Sequence, residues 1–365
     1  MISIPVQVQP RPYEVRIENG LLAKAGDILR NLIPHRRRLF VITVAPVRRR
    51  WGKALHRSLT DAAFDVTSIE MPEGERFKRL ATVERLSEKL SSLGADRDAV
   101  VLAFGGGVAG DVAGLVASLF MRGVEFVQIP TTVLAQVDAS IGGKTGVNLT
   151  TGKNLVGTFH QPRVVLIDPQ VLSSLPEREY RAGLYEALKA GIIGDPSLFL
   201  EFEKNCEGIE RRDAATVERL IAASVKLKAQ VVSADEREEG LRRVLNLGHT
   251  IGHALEAETA YKKLLHGEAV AWGMISVAHL AADIGRLDGK TAARIVQATL
   301  NLGRLPKMDV RPANIVKRLT ADKKTRGGRV HFILPTAIGR VEVVDDVPEA
   351  AIRKAVDAMR RMSIA

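Results

Sequence analysis

Short apolar runs alternate with longer, periodically apolar segments through the first half of the chain. Residues 99–104 form an apolar run of strand length, and the runs at 126–129 and 164–168 repeat it. This alternation predicts a mostly parallel sheet covered by helices. The other elements predicted in this half are strands at residues 6–17 and 39–43, a helix at 21–32 and a helix that ends near Leu93.

The pattern changes after Pro176. Residues 177–308 read almost throughout as helix, and residues 267–284 are apolar on every side, as in a helix buried within a bundle. At 365 residues the chain is long enough to form two separate cores. We therefore predict an α/β domain over residues 1–176 and a mainly α-helical domain over residues 177–365.

A glycine-rich turn follows the run at residues 99–104. Gly105, Gly107 and Gly110 satisfy the spacing G-x-G-x-x-G, and we expect positive φ angles here that let backbone N–H groups approach a phosphate. The acidic residue that usually closes the next strand has no clear counterpart, since Glu125 stands at a strand start. The spacing fits a Rossmann-like nucleotide site, and it fits a plain strand-to-helix turn equally well.

Two features near this turn favour the nucleotide. Thr131 and Thr132 close the next apolar run, at the carboxyl end of a strand, where open α/β sheets present ligand groups. A second glycine-rich turn at residues 141–148 carries Lys144. A nucleotide pyrophosphate is therefore the ligand that we expect for this half of the chain.

The net charge of +11 comes from dense clusters and from isolated cations. The clusters at residues 35–38 and 48–51 are typical of a solvated surface, with polyanion contact as the alternative, whereas widely spaced cations suit phosphorylated metabolites. No apolar run reaches the roughly 18 residues of a membrane span, and the N-terminus lacks a signal-peptide pattern. The single cysteine, Cys206, cannot form an internal disulfide. We expect a cytoplasmic protein.

Two histidines stand four residues apart in the second half of the chain. We expect residues 241–258 to form one helix on which Arg242, Asn246, His249 and His253 follow a single stripe. Histidines with this spacing can bind one metal ion from the same side of a helix. The stripe is consistent with a metal site that needs further ligands from other elements, and equally with histidines that are ordinary core or surface residues.

His266 and Glu186 are the further ligands that the sequence offers. Two histidines and one glutamate give the set with an open position that is typical of catalytic Zn²⁺. Lys189 stands three residues after Glu186 and shares a helix face with it, so a simple ion pair is the alternative to a role in binding.

Lys228 interrupts the apolar stripe of a helix predicted over residues 214–234, seven residues after Ile221. A lysine at such a position either extends past its neighbours to solvent or points into a cleft and meets an anion. We favour the cleft.

Several motifs match a known enzyme family in combination. They are GGGVAGD at 105–111, QIPTTVLAQVDASIGGKTGVN at 128–148, GKNLVGTFHQP at 152–162, GLYEALKAGII at 183–193, RVLNLGHTIGHALE at 243–256 and HGEAVAWGM at 266–274. From about Glu73 to Lys324 the sequence resembles the 3-dehydroquinate synthases, which are sugar-phosphate cyclases. The resemblance implies an N-terminal NAD-binding, Rossmann-like α/β domain and a C-terminal helical domain that binds metal and substrate.

The resemblance also implies which residues bind ligands. Glu186, His249 and His266 would hold a divalent metal, Zn²⁺ or Co²⁺, while His253 would face the substrate. The residues implied at NAD⁺ are Glu73, Glu75, Lys78, Gly107, Val108, Ala109, Gly110, Asp111, Thr131, Thr132, Lys144, Lys153, Val171, Leu172, Ser173 and Ser174. The residues implied at the substrate and in catalysis are Arg122, Asp138, Lys144, Asn154, Lys189, Lys228, Arg242, Asn246, His253 and one of Lys323 or Lys324.

The implied activity converts 3-deoxy-D-arabino-heptulosonate 7-phosphate to 3-dehydroquinate and phosphate in the shikimate pathway. It would proceed by transient oxidation with NAD⁺, phosphate elimination, reduction by the same cofactor and intramolecular aldol closure. Asp138, His253 and Lys144 are the candidates for proton relay and orientation. The resemblance further implies a homodimer that acts on a small phosphorylated sugar acid, with no nucleic-acid or membrane partner.

One segment departs from the family pattern. After the strand at residues 39–43 the family usually has an Asp and an Asn that meet the adenine ribose, whereas this chain has Val44 and Pro46. We therefore expect a weaker hold on the adenosine end of NAD⁺.

Three other functions compete with this interpretation. Another sugar-phosphate cyclase would share most of the motifs, but the pair Lys228 and Asn246 argues against it. An NAD- and metal-dependent polyol dehydrogenase would not need the widely spaced cations. An RNA-binding protein would require the arginine clusters to carry the function and the histidine stripe to be accidental.

Overall fold

A computed structural model describes residues 1–325, 330–345 and 347–364, with the side chains of residues 321–325 left undescribed. Lys323 and Lys324 therefore lie outside the residues whose side chains are described. The chain forms two compact units, one of residues 1–176 with 217–237 and the other of residues 177–216 with 238–365. The first stretch ends at the predicted boundary, but residues 217–237 group with the first unit and not with the predicted helical domain.

The strands and helices are as follows. The strands are β1 Ile2–Val6, β2 Tyr13–Ile17, β3 Arg38–Thr43, β4 Asp65–Glu70, β5 Val100–Gly105, β6 Glu125–Pro130, β7 Lys144–Val147, β8 Val156–Phe159, β9 Val164–Ile167, β10 Phe332–Ala337 and β11 Arg340–Val344. The helices are α1 Ala25–Leu32, α2 Ala45–Val47, α3 Lys53–Asp61, α4 Leu80–Ser92, α5 Gly107–Leu119, α6 Glu177–Gly194, α7 Pro196–Lys204, α8 Cys206–Glu210, α9 Ala214–Ala234, α10 His249–Glu258, α11 His266–Asp283, α12 Gly289–Asn301, α13 Pro312–Thr325 and α14 Glu349–Ile364.

The first unit is built on a seven-stranded sheet with the order β1-β2-β9-β6-β5-β3-β4. All neighbouring strands are parallel except the edge pair of β1 and β2. Every residue of β5 and β9 is buried, as expected for parallel strands covered on both faces. The predicted fold class of this half is confirmed.

The single strand predicted over residues 6–17 is wrong. β1 and β2 form an antiparallel pair in which Val6 faces Tyr13. Pro10 and Pro12 lie in the loop between them. Proline cannot donate a ladder hydrogen bond and fixes its own φ, so the chain turns back here instead of continuing as one strand.

The second unit is mainly helical and surrounds α11. Trp272, Met274 and Ile275 in the middle of this helix are buried. The indole Nε1 of Trp272 donates to the carbonyl of Pro306 at 3.0 Å. The predicted all-round apolar helix is confirmed. Strands β10 and β11 form a hairpin in this unit.

Within the described part of the chain, none of the helices combines the length and the apolar character that crossing a bilayer requires.

Candidate functional site

The strand order of the first unit reverses between β3 and β5. The chain passes from β3 outward to β4, and then from β5 through β6 to β9 in the opposite direction. In open α/β sheets the crevice for a ligand lies beyond the carboxyl ends of the strands at such a reversal. The turn after Gly105 and the residue after β3, Val44, both stand at this end of the sheet.

The glycines of the first turn are required for close packing and not for positive φ. The residues with positive φ in the described chain do not include Gly105, Gly106 or Gly107, so that expectation is wrong. A Cβ on Gly105 would lie 2.6 Å from the Cβ of Ala109, and one on Gly110 would lie 3.0 Å from the side-chain oxygen of Gln128. The turn therefore brings α5 tightly against β5 and β6.

The second glycine-rich turn does use left-handed backbone. Gly142 and Gly143 have φ angles of 96° and 64°, which other residues rarely adopt. His160 N donates to the carbonyl of Gly143 at 2.8 Å, and Lys144 begins β7 with an exposed side chain. The positive φ angles predicted for the first turn thus occur in the second.

A polar network connects the segment before α4 with the first turn of α5. The Nζ of Lys78 is 2.5 Å from Oδ2 of Asp111 and 2.5 Å from Oδ1 of Asn154. Asn148 donates to Oε1 of Glu75 at 2.8 Å and accepts from the backbone N–H of Asn154 at 2.8 Å. The structure therefore brings together four residues predicted to bind NAD⁺ or substrate, with Asn148 as a member that the sequence analysis missed.

Burial sets the electrostatics of this network. Lys78 is only 5% exposed, and burial raises the pKa of the Asp111 carboxyl although the charge of Lys78 opposes the shift. Thr131 and Thr132 lie at the same edge, since Thr131 N donates to the carbonyl of Gly105 at 2.9 Å and a Cβ on Gly106 would be 3.0 Å from Cγ2 of Thr132. These groups surround the N-terminus of α5, where free N–H groups attract an anion.

Lys228 of α9 is buried and ion-paired. Its Nζ lies 2.6 Å from the carbonyl oxygen and 2.5 Å from Oδ1 of Asp138, and the residue is 8% exposed. The alternative of a lysine extended to solvent is therefore wrong. The structure pairs two residues that the resemblance implies at the substrate.

The remaining predicted residues of the first unit lie on several different elements. Arg122 is exposed, and its backbone φ of 66° is unusual for a residue other than glycine. Glu73 is exposed and lies two residues before Glu75 of the network. Lys153 precedes Asn154 in the loop before β8.

The residues implied at NAD⁺ after β9 lie in a 3-10 helix, where Val171 and Leu172 are buried and Ser173 is exposed. Ser174 Oγ accepts a hydrogen bond from Trp51 Nε1 at 2.8 Å. Val108 and Ala109 lie in the first turn of α5 between Gly107 and Asp111.

A buried carboxylate lies at the middle of α6 in the second unit. Glu186 is 2% exposed, and neither of its carboxylate oxygens accepts a hydrogen bond from any described residue. Lys189, three residues later on the same helix, forms an ion pair with it. A buried carboxylate is costly unless cations complete its environment, and here Lys189 supplies one of them at Oε2 while Oε1 has none.

Histidines from two other helices surround this carboxylate. Oε1 of Glu186 is 4.0 Å from Nε2 of His249 and 3.7 Å from Nε2 of His266. The candidate ligand atoms of His249, His253 and His266 all lie within 4.8 Å of one another. The structure therefore gathers every predicted metal residue, and adds His253 to the same cluster.

Close helix crossings bring these side chains together. A Cβ on Gly267 would lie 1.8 Å from the carbonyl oxygen of Ala182, so α11 presses directly on α6 one turn before Glu186. A Cβ on Gly273 would lie 1.9 Å from the carbonyl oxygen of Gly248, which brings α10 equally close to α11. These glycines permit backbone contact, and that contact places one histidine from each helix beside the carboxylate.

The single helix predicted over residues 241–258 is wrong. Leu241–Asn246 is a 3-10 helix, and α10 begins only at His249 after Gly248, which has a φ of 78°. Only glycine takes this left-handed conformation at little cost. Arg242 and Asn246 therefore do not share a stripe with the histidines. Arg242 is 3% exposed, and Asn246 donates to Oε1 of Glu238 at 3.0 Å.

The two histidines nearest Glu186 have opposite electrostatic environments. Burial lowers the pKa of His249 well below its usual value, and Lys189 and the two neighbouring histidines add to this effect. Burial acts in the same direction on His266, but a hydrogen bond to Glu256 and the charges of Glu186 and Glu256 outweigh it and raise its pKa.

This donor set fits a divalent transition metal. Zinc bonds to histidine nitrogen and carboxylate oxygen are about 2.1 Å long, so ligand atoms around one tetrahedral ion lie about 3.4 Å apart. The observed separations of 3.7 and 4.0 Å between Glu186 and the two imidazoles are close to this value. Two imidazoles with one carboxylate suit Zn²⁺ or Co²⁺ better than Mg²⁺ or Ca²⁺.

Glu256 and Glu238 are site residues that the sequence analysis missed. Glu256 is 2% exposed and its Oε2 lies 3.4 Å from Nδ1 of His266. A signal was present, because Glu256 follows His249 by seven residues and His253 by three, on the same face of α10. Glu238 gave no such signal, since it precedes the 3-10 helix in an irregular segment.

Comparison with known proteins agrees with this arrangement. Residues 68–182 match the family "3-dehydroquinate synthase N-terminal", and residues 183–325 match "3-dehydroquinate synthase C-terminal". A 3-dehydroquinate synthase from Koribacter versatilis (strain Ellin345) is 53% identical over 100% of this chain and 99% of the relative. The chain belongs to the 3-dehydroquinate synthase family.

Two solved structures share the fold. The 2-epi-5-epi-valiolone synthase ValA from Streptomyces hygroscopicus subsp. jinggangensis 5008, with NAD⁺ and Zn²⁺ bound, has a TM-score of 0.88 at 32% identity, covering 97% of this chain and 98% of that one. A 2-deoxy-scyllo-inosose synthase complexed with carbaglucose-6-phosphate, NAD⁺ and Co²⁺ has a TM-score of 0.86 at 26% identity, covering 99% of each chain. The resemblance stated from the motifs is confirmed.

Proposed function

We propose that this protein catalyses the 3-dehydroquinate synthase reaction with NAD⁺ and a divalent metal. The substrate would be 3-deoxy-D-arabino-heptulosonate 7-phosphate, and the products 3-dehydroquinate and phosphate. The observation that carries this proposal is the buried Glu186 carboxylate, whose Oε1 accepts no hydrogen bond from described residues and faces Nε2 of His249 and of His266. In a member of this family, that arrangement is what a catalytic metal would complete.

Glu186, His249 and His266 would hold the metal, with His253 directed to the substrate. Lys189 would offset part of the charge that Glu186 carries in its buried position. Its ammonium would also repel a proton from His249, which keeps that imidazole neutral and able to donate a lone pair. Support for this division of roles comes from the proximity of the four side chains and from the sequence motifs that contain them.

The first unit would bind NAD⁺ at the carboxyl end of its sheet. The N-terminus of α5, over Gly107 to Asp111, would receive the pyrophosphate, and Thr131 and Thr132 would stand beside it. Lys78 would hold the segment with Glu73 and Glu75 against α5 through its contact with Asp111. Lys144, Lys153 and the 3-10 helix that ends at Ser174 complete the set implied for the cofactor.

When bound, NAD⁺ would accept and return a hydride, and the metal would polarise neighbouring hydroxyl groups. The protein itself would orient the substrate and move its protons. Arg122, Lys228 and Arg242 would meet its phosphate and carboxylate. Asp138, whose Oδ1 contacts the ammonium of Lys228, would take part in proton transfer. Asn154, Asn246 and one of Lys323 or Lys324 would add hydrogen bonds to the substrate.

The test is turnover of the purified, metal-loaded protein with the heptulosonate phosphate and a trace of NAD⁺. Phosphate release and formation of the carbocycle are followed together. We expect many turnovers for each NAD⁺ molecule, because the cofactor is regenerated within the cycle. NADH that accumulates in proportion to substrate would contradict the proposal and indicate a dehydrogenase.

A second substrate separates this function from that of other sugar-phosphate cyclases. A heptulose phosphate of the same length without the carboxylate is the matched control. We expect its kcat/KM to be lower by about 100-fold, because a charged hydrogen bond to the carboxylate contributes about 1.5–3 kcal/mol. Faster turnover of the control sugar would indicate a different cyclase.

We also propose a homodimer in the cytoplasm. Both features are implied by the resemblance to the family, and both are consistent with an enzyme that acts on a small phosphorylated metabolite. Light scattering at micromolar concentration tests the dimer, and a mass equal to that of one chain would contradict it.

A further inference from the structure

A second buried carboxylate lies behind the proposed metal cluster. Glu256 on α10 is 2% exposed, and its Oε2 lies 3.4 Å from Nδ1 of His266 on α11. The other nitrogen of the same ring, Nε2, lies 3.7 Å from Oε1 of Glu186. The imidazole of His266 therefore stands between two buried carboxylates, one at each nitrogen.

This position determines which nitrogen of His266 carries the proton. An imidazole that gives its Nε2 lone pair to a metal ion keeps its proton on Nδ1, and an ionised carboxylate only accepts hydrogen bonds, so with metal bound Nδ1 would present its N–H to Glu256. The lone pair is then on Nε2, which points toward Glu186. Rotation of the ring by half a turn would place Cδ2 at the position of Nδ1, so the hydrogen bond to Glu256 would be lost, and this orientation is disfavoured.

The Nδ1 of His249 has a different hydrogen-bond partner from that of His266, so the two candidate ligands can be compared. Its Nδ1 lies 3.2 Å from the backbone carbonyl oxygen of Leu247, a neutral acceptor. A carboxylate acceptor makes an imidazole a stronger electron donor than a carbonyl does, because it stabilises positive charge on the ring. Of the two candidate ligands, His266 would therefore bind a metal ion more strongly, because its partner Glu256 is a carboxylate.

We propose that Glu256 is a positioning residue for the metal, which fixes the tautomer and orientation of His266 and strengthens its Nε2 as a ligand. This inference rests on the proposed function, since it takes the cluster of Glu186 and the histidines to hold a divalent cation. Glu256 acts through His266 and does not itself contact the metal.

The test compares the metal affinity of Glu256→Ala and Glu256→Gln with that of the unaltered chain. Zn²⁺ dissociation constants are measured by competition with a chromophoric chelator, and the visible absorption of bound Co²⁺ reports ligand geometry. We expect Glu256→Ala to weaken Zn²⁺ binding by about 10–100-fold and to change the Co²⁺ spectrum. Glu256→Gln should lose less, because its amide oxygen still accepts the Nδ1 proton but carries no charge.

Glu258→Gln is the matched control on the same helix. Glu258 contacts Arg318 and Asn314, not a histidine of the cluster, so its substitution should leave the Zn²⁺ affinity unchanged. An equal loss in Glu258→Gln would mean that the effect arises from helix stability and would overturn the proposal. Unchanged affinity and spectrum in Glu256→Ala would overturn it as well.

The outcomes also separate this proposal from the proposed function. If Glu256→Ala fails to fold, Glu256→Gln and its intermediate affinity decide the question. If the unaltered chain binds neither Zn²⁺ nor Co²⁺, the proposed function fails and this inference fails with it. If the unaltered chain binds metal and turns over substrate while the variants bind as tightly, only the role of Glu256 is lost.

Discussion

The polar clusters of the two units differ in how far the protein completes them by itself. In the first unit, Lys78 contacts both Asp111 and Asn154, so its positive charge meets a carboxylate and an amide oxygen. In the second unit, Lys189 pairs with Oε2 of Glu186, whereas Oε1, which faces the histidines, accepts no hydrogen bond from the described residues. The first cluster is satisfied before any ligand binds, and the second is satisfied only in part, at one of the two carboxylate oxygens.

This difference indicates two kinds of binding site. A network whose buried groups already pair with one another forms a fixed surface, against which a cofactor can bind and leave without exposing an unpaired charge. A cluster with an unsatisfied buried carboxylate gains its stability from a cation that stays bound. We therefore expect the NAD⁺ site to persist without its ligand, and the metal cluster to depend on its ligand. Four substitutions test this contrast.

Glu186→Gln should have the largest effect, because it removes the charge from the incomplete cluster. We expect kcat/KM to fall by about 10³, equivalent to about 4 kcal/mol of lost stabilisation by the metal. Steady-state phosphate release with saturating Zn²⁺ measures the loss. Glu207→Gln, at a surface pair with Arg211, is the control and should retain full activity. Activity close to that of the unaltered chain in Glu186→Gln would exclude Glu186 as a ligand.

Lys78→Met should destabilise the first unit, because it leaves the carboxylate of Asp111 buried without its cation. Breaking a buried pair in this way costs about 3 kcal/mol. Trp51 lies in the first unit and Trp272 in the second, so urea unfolding followed by Trp51 fluorescence in a Trp272→Phe background reports the first unit separately.

Lys89→Met replaces an exposed lysine on α4 and serves as the control for Lys78→Met. Its unfolding midpoint should stay within the error of the unaltered chain. Equal midpoints for the two variants would mean that the first cluster is not held by its own charges.

Lys228→Met should lower kcat/KM by about 100-fold, because it removes the ammonium that holds both the carbonyl and the carboxylate of Asp138. A hydrogen bond to a charged group contributes about 1.5–3 kcal/mol, which corresponds to a factor of this size. Lys226→Met changes an exposed lysine of the same helix and should leave kcat/KM unchanged. If both variants are equally active, Lys228 serves packing alone.

Val44→Asp should have the smallest effect, and in the opposite direction. It introduces a carboxylate after β3, where a dinucleotide fold offers an acceptor to the adenine ribose. We expect NAD⁺ to bind about fivefold more tightly, equivalent to about 1 kcal/mol. Isothermal titration of the metal-free protein measures the change, with Val47→Asp as the control for added charge. Equal affinity of Val44→Asp and the unaltered chain would contradict a weakened adenosine site.

The residues of the candidate site were easier to predict than their local structure. The motifs identify Glu186, His249 and His266, and the structure gathers all three. The same motifs did not indicate that the helix carrying His249 begins at that residue, directly after Gly248 with its left-handed backbone. A stripe of polar residues at helical spacing fits one continuous helix and an interrupted one equally well, so periodicity alone could not separate them.

The glycines of the first turn are a second example of a motif whose local structure differed from the prediction. G-x-G-x-x-G predicted positive φ angles in the first turn, but Gly105 and Gly110 are small because Ala109 and Gln128 leave no room for a Cβ. At these two positions the glycine leaves space that a neighbouring side chain occupies. Whether backbone conformation or a neighbouring atom excludes a side chain depends on contacts between distant residues.

Three features were determined by the sequence by itself: the alternation of strands and helices that forms the parallel sheet, the apolar run that forms α11, and the family to which the chain belongs. Each of these follows from residue order, because local hydrophobic period and motif spacing are properties of the chain alone. The tertiary structure decided that Glu256 meets His266 and that Lys228 meets Asp138. Those contacts join residues on different elements, and only the packing of helices and strands brings such side chains within hydrogen-bond distance.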